Sequence, residues 1–476
     1  MQIKLEQSSR WALCAAIALS LLVAGCASPG PSRQAAVAIE PQAAGLDPKV
    51  ASPELSAAWW HETGEEALAM LIERALAGSP GLRVAQARLA GVQAIIDDAY
   101  AAFEPAFNAG ADLNRQRYSA NGLFPATVAG KVRTIANLQL GVTWELDFFG
   151  RQRIALEAAL GRERAAQAEL QAARSLLAAQ IAQAYVQLAR FVEQRALLDE
   201  VLTSREAQSA LAARRLQAGL DDARPLAAAQ ASVADARQQR EIVEASIGAM
   251  RRALAHLSAQ PPAALDALAP RLGFGPRFTV PVDVPADLLG RRADLDAARA
   301  RVEVALRDVD EARTRFYPNV NLGAFLGLNS IGLDRVFRAD SWQGAVAPAI
   351  RLPLFEADRL RAYLRGREAD LDAAIESYNQ ALLDAVRDVA DRLGTLRAVA
   401  AQQTEHQRAR AAADLSLGLA QRRMQAGVGT RLAVLSAEGG VLAQRQQAID
   451  LQAQMIDGHF ALIRALGGGY APQAAR

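Results

Sequence analysis

Arg423–Glu438 reads RMQAGVGTRLAVLSAE, and Arg215–Gln230, 208 residues earlier, reads RLQAGLDDARPLAAAQ. At that offset Arg215 matches Arg423, Gln217 matches Gln425, and Ala218-Gly219 match Ala426-Gly427. Farther on, Leu226 matches Val434, Ala229 matches Ala437 and Gln230 matches Glu438. Each copy is a glycine-punctuated turn that closes one long helical pattern and opens another. Two such hairpins in one chain imply an internal duplication.

Working outward, the pattern before the first turn is helical from Gly150 to Gln217, 68 residues, or about 100 Å at roughly 1.5 Å per residue. In heptads from Leu170 the a and d sites are Leu170, Arg174, Leu177, Ile181, Ala184, Leu188, Phe191, Arg195, Leu198 and Leu202. Eight of these ten are apolar, which predicts a coiled-coil seam. Pro225 suits the first turn of a return helix running to about Leu257. A proline-marked crossing, Pro261 to Pro285, leads to a second helical pattern over Ala286–Arg315. The long helix of the second half runs from Pro353-Leu354-Phe355 to Gln425.

Between the helices the period changes to two. Phe107, Ala109, Ala111 and Leu113 alternate with Asn108, Asp112, Asn114 and Gln116. After a loop over Tyr118–Arg133, Leu138, Leu140, Val142, Trp144 and Leu146 alternate with Asn137, Gln139, Thr143, Glu145 and Asp147. Phe316–Gly323 and Phe103–Gly110 share the pattern F-x-P-x-x-N-x-G at an offset of 213. A loop over Asn329–Asp340 precedes a fourth strand through Trp342, Val346, Ile350 and Leu352. Each half thus reads helix, two strands, long helix, turn, return helix. Soluble sheets alternate in the same way, so the period by itself does not prove a membrane barrel. Four strands cannot close one, and an open edge is not tolerated in lipid. Barrels begin at about eight strands, so several copies would pool theirs; three copies would supply twelve.

The chain opens with Lys4 and Arg10, the apolar run Trp11–Val23, and Val23-Ala24-Gly25-Cys26. This resembles the lipobox of bacterial lipoproteins. It implies a signal peptide over 1–25, removed before Cys26, and acyl chains on Cys26 that anchor the new terminus. Ala27 stands where inner-membrane lipoproteins commonly carry aspartate, so the outer membrane is expected. Residues 26–60 read as a tether rich in Pro, Ala, Ser and Gln. The two halves follow over 61–270 and 271–476, with strands at about 105–147 and 318–352 and turns at about 219 and 427. No stretch after the signal offers about 18 uncharged apolar residues for a membrane helix.

Composition excludes other classes. The net charge of +2 gives no reason to expect nucleic acid, and aromatics are 5% beside 51% hydrophobic residues, a balance that suits closely packed helices. His61, His256, His406 and His459 lack metal-ligand spacing. No P-loop, nucleophile elbow or dinucleotide fingerprint is present, so no enzyme activity, cofactor or metal is called for.

Together the residues resemble the TolC/OprM-like outer membrane efflux proteins, in particular the NodT-type lipoprotein branch that serves RND pumps. The resemblance rests on Cys26, Trp144-Glu145-Leu146-Asp147-Phe148-Phe149-Gly150, Val282–Val302 and Phe316-Tyr317-Pro318. It extends through Pro353-Leu354-Phe355, the two turns and Ala465-Leu466-Gly467-Gly468-Gly469-Tyr470. It implies an α+β membrane protein: a homotrimer with a twelve-stranded transmembrane β-barrel continued by a twelve-helix periplasmic α-barrel of coiled coils. It implies an exit duct of a tripartite efflux pump, passing small molecules outward, with a periplasmic adaptor (membrane fusion) protein and an inner-membrane RND transporter as partners. Arg215, Gly219, Arg423, Gly427, Val428 and Gly429 would form the docking tip. Leu432 and, four residues on, an acid commonly ring the aperture in this family; here the second position is Ser436. Glu438, Asp221 or Asp222 would supply the acidity nearby. The chain also departs at Arg292-Ala293-Asp294, where the family usually has Arg-Pro-Asp, which would loosen the start of the following helix.

Plainer readings stand beside these. Gly219 and Gly427 suit the C-caps of any coiled-coil hairpin, and Asp221 and Asp222 suit solvated acids before a helix. Trp144 fits packing or an aromatic belt, and Phe148-Phe149 fits packing where strands meet helix. A duct serving an ABC-driven protein exporter and a pore-free coiled-coil lipoprotein are the alternative functions.

Overall fold

The computed structural model of the chain describes residues 28–29, 36–40, 42–46, 55–276, 280–285 and 287–470. The signal segment, Cys26 and about half of the 26–60 tether lie outside the described residues. The helices are α1 (Glu66–Gly78), α2 (Pro80–Ala101), α3 (Arg151–Gln217), α4 (Ala223–Leu257), α5 (Leu288–Arg291), α6 (Ala293–Thr314), α7 (Ala357–Gln425) and α8 (Arg431–Ala465). The strands are β1 (Ala106–Arg117), β2 (Val132–Leu146), β3 (Asn319–Ile331) and β4 (Trp342–Arg351). No described helix is long and apolar enough to cross a membrane.

The chain forms two compact units, and their division cuts across both halves of the sequence. One comprises 1–38, 90–165 and 299–377; the other comprises 39–89, 166–298 and 378–476.

The first unit contains a single antiparallel sheet in the order β1-β2-β3-β4. The hairpin of one half joins that of the other through β2 and β3, in a register that places Leu140 opposite Leu326 and Trp144 opposite Leu322. β3 runs on to Ile331, past the expected loop start at Asn329, because Asn329 and Ser330 still find partners in Asn137 and Ala136. A small helical core packs Val309 and Ala312 of α6, with Phe316 just beyond its end, against Leu360, Leu364, Leu371 and Ile375 of α7.

The second unit holds the larger core. Leu68 and Ile72 of α1 meet Ile181, Tyr185 and Leu188 of α3, Val243 and Ile247 of α4, and Phe460 of α8. A neighbouring cluster joins Leu295 of α6, Leu382 and Val389 of α7, and Leu462 of α8. The narrow heptad seam expected for α3 is widened here. Ala178, Ala179, Ile181, Ala182, Tyr185, Val186, Leu188 and Ala189 are all buried, while the expected Leu177, Ala184 and Phe191 are half-buried and Arg174 is exposed. A helix packed against three neighbours needs a broader apolar face than a two-stranded seam. Tyr185 donates to Glu65 Oε1 at 2.7 Å, and burial together with that carboxylate pushes its phenol far above the ordinary tyrosine range.

The continuous helix expected from Ala286 is broken at Arg292, which adopts extended backbone before α6 begins at Ala293. Arg292 is buried; it grips Asp294 at 2.9 and 2.6 Å and donates to the Ala465 carbonyl at 2.9 Å. Burial raises the Asp294 carboxyl, but the Arg292 guanidinium more than offsets this and holds it below the usual range. After α8, Gly467, Gly468 and Gly469 all take positive φ, and a Cβ on Gly467 would run into the Arg291 carbonyl. Only glycine passes there.

Candidate functional site

Both tip turns lie in the second unit and share one backbone design. At the first, Leu220 N donates to Arg215 O at 2.9 Å and Gly219 N to Leu216 O at 3.0 Å. At the second, Val428 N donates to Arg423 O at 3.0 Å and Gly427 N to Met424 O at 3.0 Å. These are Schellman closures, with Gly219 at φ +67° and Gly427 at φ +75° in the left-handed region that a Cβ disfavours. Each following helix carries an N-cap: the Asp222 carboxylate accepts from Arg224 N at 2.9 Å, and Thr430 Oγ1 accepts from Ala433 N at 3.2 Å.

The side chains differ. Arg215 and Asp221 form a two-pronged ion pair at 2.6 and 3.1 Å, and that bond holds the Asp221 carboxyl below its usual range. Asp222 pairs with Arg224 at 2.6 Å and is lowered in the same way. Both candidate acids are therefore already engaged within their own turn.

The second turn has Gly429 where the first has Asp221. A Cβ there would lie 2.7 Å from Met424 N and 2.9 Å from Arg423 C, so the chain presses on its own backbone at that point. Among the described residues no carboxylate pairs with Arg423, which is exposed. Val428 is 69% and Leu432 49% exposed.

A groove of about 860 Å³ opens along the α7–α8 hairpin beside this turn. It brings Arg423, Val428, Gly429, Thr430 and Ser436 together with the exposed Leu415 and Leu419. Leu432 and Glu438 are not among its lining residues; Glu438 is half-buried on α8. The matching groove on the α3–α4 hairpin, about 500 Å³, is bridged by Arg237 and Glu206 at 2.7 Å. Leu415 and Leu419 were missed in the sequence. Their i, i+4 spacing on a helix, facing the small residues Ala433, Ser436, Ala437 and Gly440, is the signal that could have found them.

In the first unit, the sheet has two faces of opposite character and neither is covered within the unit. Phe107, Leu113, Leu138, Leu140, Trp342, Val346 and Ile350 share one face and are exposed. Asn108, Asp112, Asn114, Asn137, Gln139, Asn321 and Gln343 share the other. At the helix end of the polar face, Glu145 accepts from Arg151 at 2.5 Å and from Asn319 at 2.8 Å. On the apolar face Trp144 donates to the Phe103 carbonyl at 2.9 Å. Asp147 accepts from Gln152 N and Arg153 N, capping α3. Phe149 stacks on Tyr317 with ring centroids 5.2 Å apart, whereas Phe148, read as packing, is 69% exposed. Among the described residues no cluster of His, Cys, Asp and Glu could hold a metal ion.

The family model of outer membrane efflux proteins matches residues 71–260 and 284–468. The chain is 32% identical over 483 residues to the multidrug resistance outer membrane protein MdtP of Shigella flexneri, covering 98% of both chains. It is 30% identical over 484 residues to the putative multidrug resistance outer membrane protein MdtQ of Escherichia coli, covering 98% of this chain and all of that one. Among solved structures, the outer membrane protein VceC of Vibrio cholerae matches with a TM-score of 0.78 and 34% identity, over 87% of this chain and 99% of that chain.

Proposed function

Because this chain belongs to the outer membrane efflux protein family, we propose that it is the outer-membrane exit duct of a tripartite RND-type pump, a passive conduit for small molecules. Its relatives MdtP and MdtQ carry multidrug resistance in their names, and drug-like compounds are the substrate class we assign here. The observation that carries the reading is the sheet of the first unit. It exposes a continuous apolar face, and β1 and β4 are left with one unpaired edge each. Such edges and such a face are stable in lipid only if copies close the sheet upon itself. Three copies give a twelve-stranded barrel with the Asn/Gln face inward, and the halves 61–270 and 271–476 act as repeats that supply two strands each.

The hairpin turns then lie at the far, periplasmic end of the helices. The α7–α8 groove, with its apolar Leu415 and Leu419, is suited to a helical adaptor hairpin. Leu432 is the candidate constriction. With Ser436 uncharged and Asp221 and Asp222 paired inside their turn, Glu438 is the remaining candidate for an acidic ring. Acyl chains on Cys26 anchor the terminus in the outer membrane.

The test is conductance. Full-length protein reconstituted in planar bilayers should migrate as a heat-modifiable trimer and conduct when the aperture is widened by Leu432→Gly. A folded, embedded trimer that never conducts, even in that variant, would sink the duct.

A further inference from the structure

The loop end of the sheet carries a charge pattern that a passive duct does not require. Six cations, Arg115, Arg117, Lys131, Arg133, Arg335 and Arg338, stand there against two acids, Asp334 and Asp340. Arg335 approaches Asp334 at 3.6 Å. Among the described residues, no carboxylate pairs with Arg115, Arg117, Lys131 or Arg338.

Register sorts these cations by face. On β1 the odd positions Phe107 and Leu113 lie on the apolar face, paired with Val142 and Ala136. Arg115 and Arg117, opposite Thr134 and Val132, continue that face directly beyond Leu113. Arg133 pairs with Gln116 and belongs to the polar face. Both Arg115 and Arg117 are exposed. From Phe107 to Leu113 the apolar stretch of β1 spans about 20 Å along the strand at roughly 3.4 Å per residue, or about 15 Å of height at a barrel strand's tilt of roughly 40°, so Arg115 and Arg117 stand at the outer rim of the apolar band. A guanidinium placed just past such a band can meet only the headgroup layer, where its planar fork matches phosphate.

We propose that Arg115 and Arg117 form a docking site for the anionic, phosphate-bearing headgroups of outer-leaflet lipids, and that this site sets the depth of the sheet in the membrane. The inference rests on the barrel reading above. Its partner is an anionic lipid surface, chosen by charge complementarity and by the side of the strand on which the arginines fall.

Native mass spectrometry of the full-length assembly, released from detergent with phosphatidylglycerol or phosphatidylcholine, tests it. The wild type should retain the anionic lipid about tenfold better than the zwitterionic one. The doubly substituted R115Q/R117Q protein should lose that preference, R133Q should keep it, and added inorganic phosphate should not displace the lipid. Equal retention by R115Q/R117Q, equal binding of phosphatidylcholine, or displacement by inorganic phosphate would overturn the proposal. Protease digestion in vesicles separates it from its premise. Strands that are protected but show no headgroup preference refute this site alone, and strands that are digested refute the barrel and the site together.

Discussion

At the first tip turn Arg215 and Asp221 meet in a two-pronged ion pair; at the second, Gly429 stands at the aspartate's position and presses on the backbone of Arg423 and Met424. Both turns close with the same hydrogen bonds and a left-handed glycine. One is held by a side-chain clamp that leaves its acids engaged. The other is held by backbone proximity, which leaves its arginine, Val428 and Leu432 exposed beside a groove of about 860 Å³. Duplicated segments can thus keep a backbone and divide the labour. The clamped turn is suited to holding shape, the uncovered one to meeting a partner.

The largest expected break in this comparison is Gly429→Val. The added side chain must displace Met424 or Arg423 backbone, and overpacking of this kind costs about 1–3 kcal/mol. Hydrogen exchange should show the second turn opening while the first stays protected. Asp221→Val, placed where a side chain already fits, should leave the closure of its turn in place. Gly219→Ala and Gly427→Ala come next, and should destabilise each turn by about 1–2 kcal/mol, because an alanine at either position pays the same left-handed penalty while its Cβ meets only open space. Unequal losses in thermal melts would break the symmetry claimed for the two backbones. Thr430→Ala removes a cap worth about 1 kcal/mol and should fray the first turn of α8 in exchange measurements.

The smallest effect is a pH dependence confined to one turn. Asp221 and Asp222 have carboxyls lowered by Arg215 and Arg224, so their contribution is present above the ordinary aspartate range and is lost as pH falls through their lowered values. Amide protection around Gly219 should therefore decline only in acid below that range. Arg423–Arg431 contains no carboxylate and should show no matching decline. Asp221→Asn should reduce the acid sensitivity of the first turn.

Local periodicity made the elements legible. The two-residue alternation around Leu138 located β2, the repeated F-x-P-x-x-N-x-G pattern at Phe316–Gly323 located the start of β3, and the echo at Gly219 and Gly427 located the turns. It did not reveal that β2 pairs with β3, since nothing local to either strand names a partner two hundred residues away. It also misjudged α3. A heptad count assumes one neighbour, and three neighbours bury Ala178, Ala182 and Ala189 as well. Phe148, read as packing, is exposed in this chain, because an aromatic residue in the sequence does not say which way it faces.

The candidate site divided similarly. Gly219 and Gly427 were legible because a positive φ selects glycine, and Asp222 was legible as an acid before a helix, whereas the Thr430 cap came from the structure. The Arg215–Asp221 clamp was not, because a separation of six residues matches no helical contact and is closed only by the turn between them. Gly429 was read only as part of the docking tip, and its tight approach to Met424 emerged only in three dimensions. By itself the sequence determined which segments are helix, strand and turn, since dihedral preference and periodicity act over a few residues. Which strands join, which acids are engaged and which arginine stays uncovered were decided by tertiary structure, because those depend on distances that the chain sets only when its remote segments are packed together.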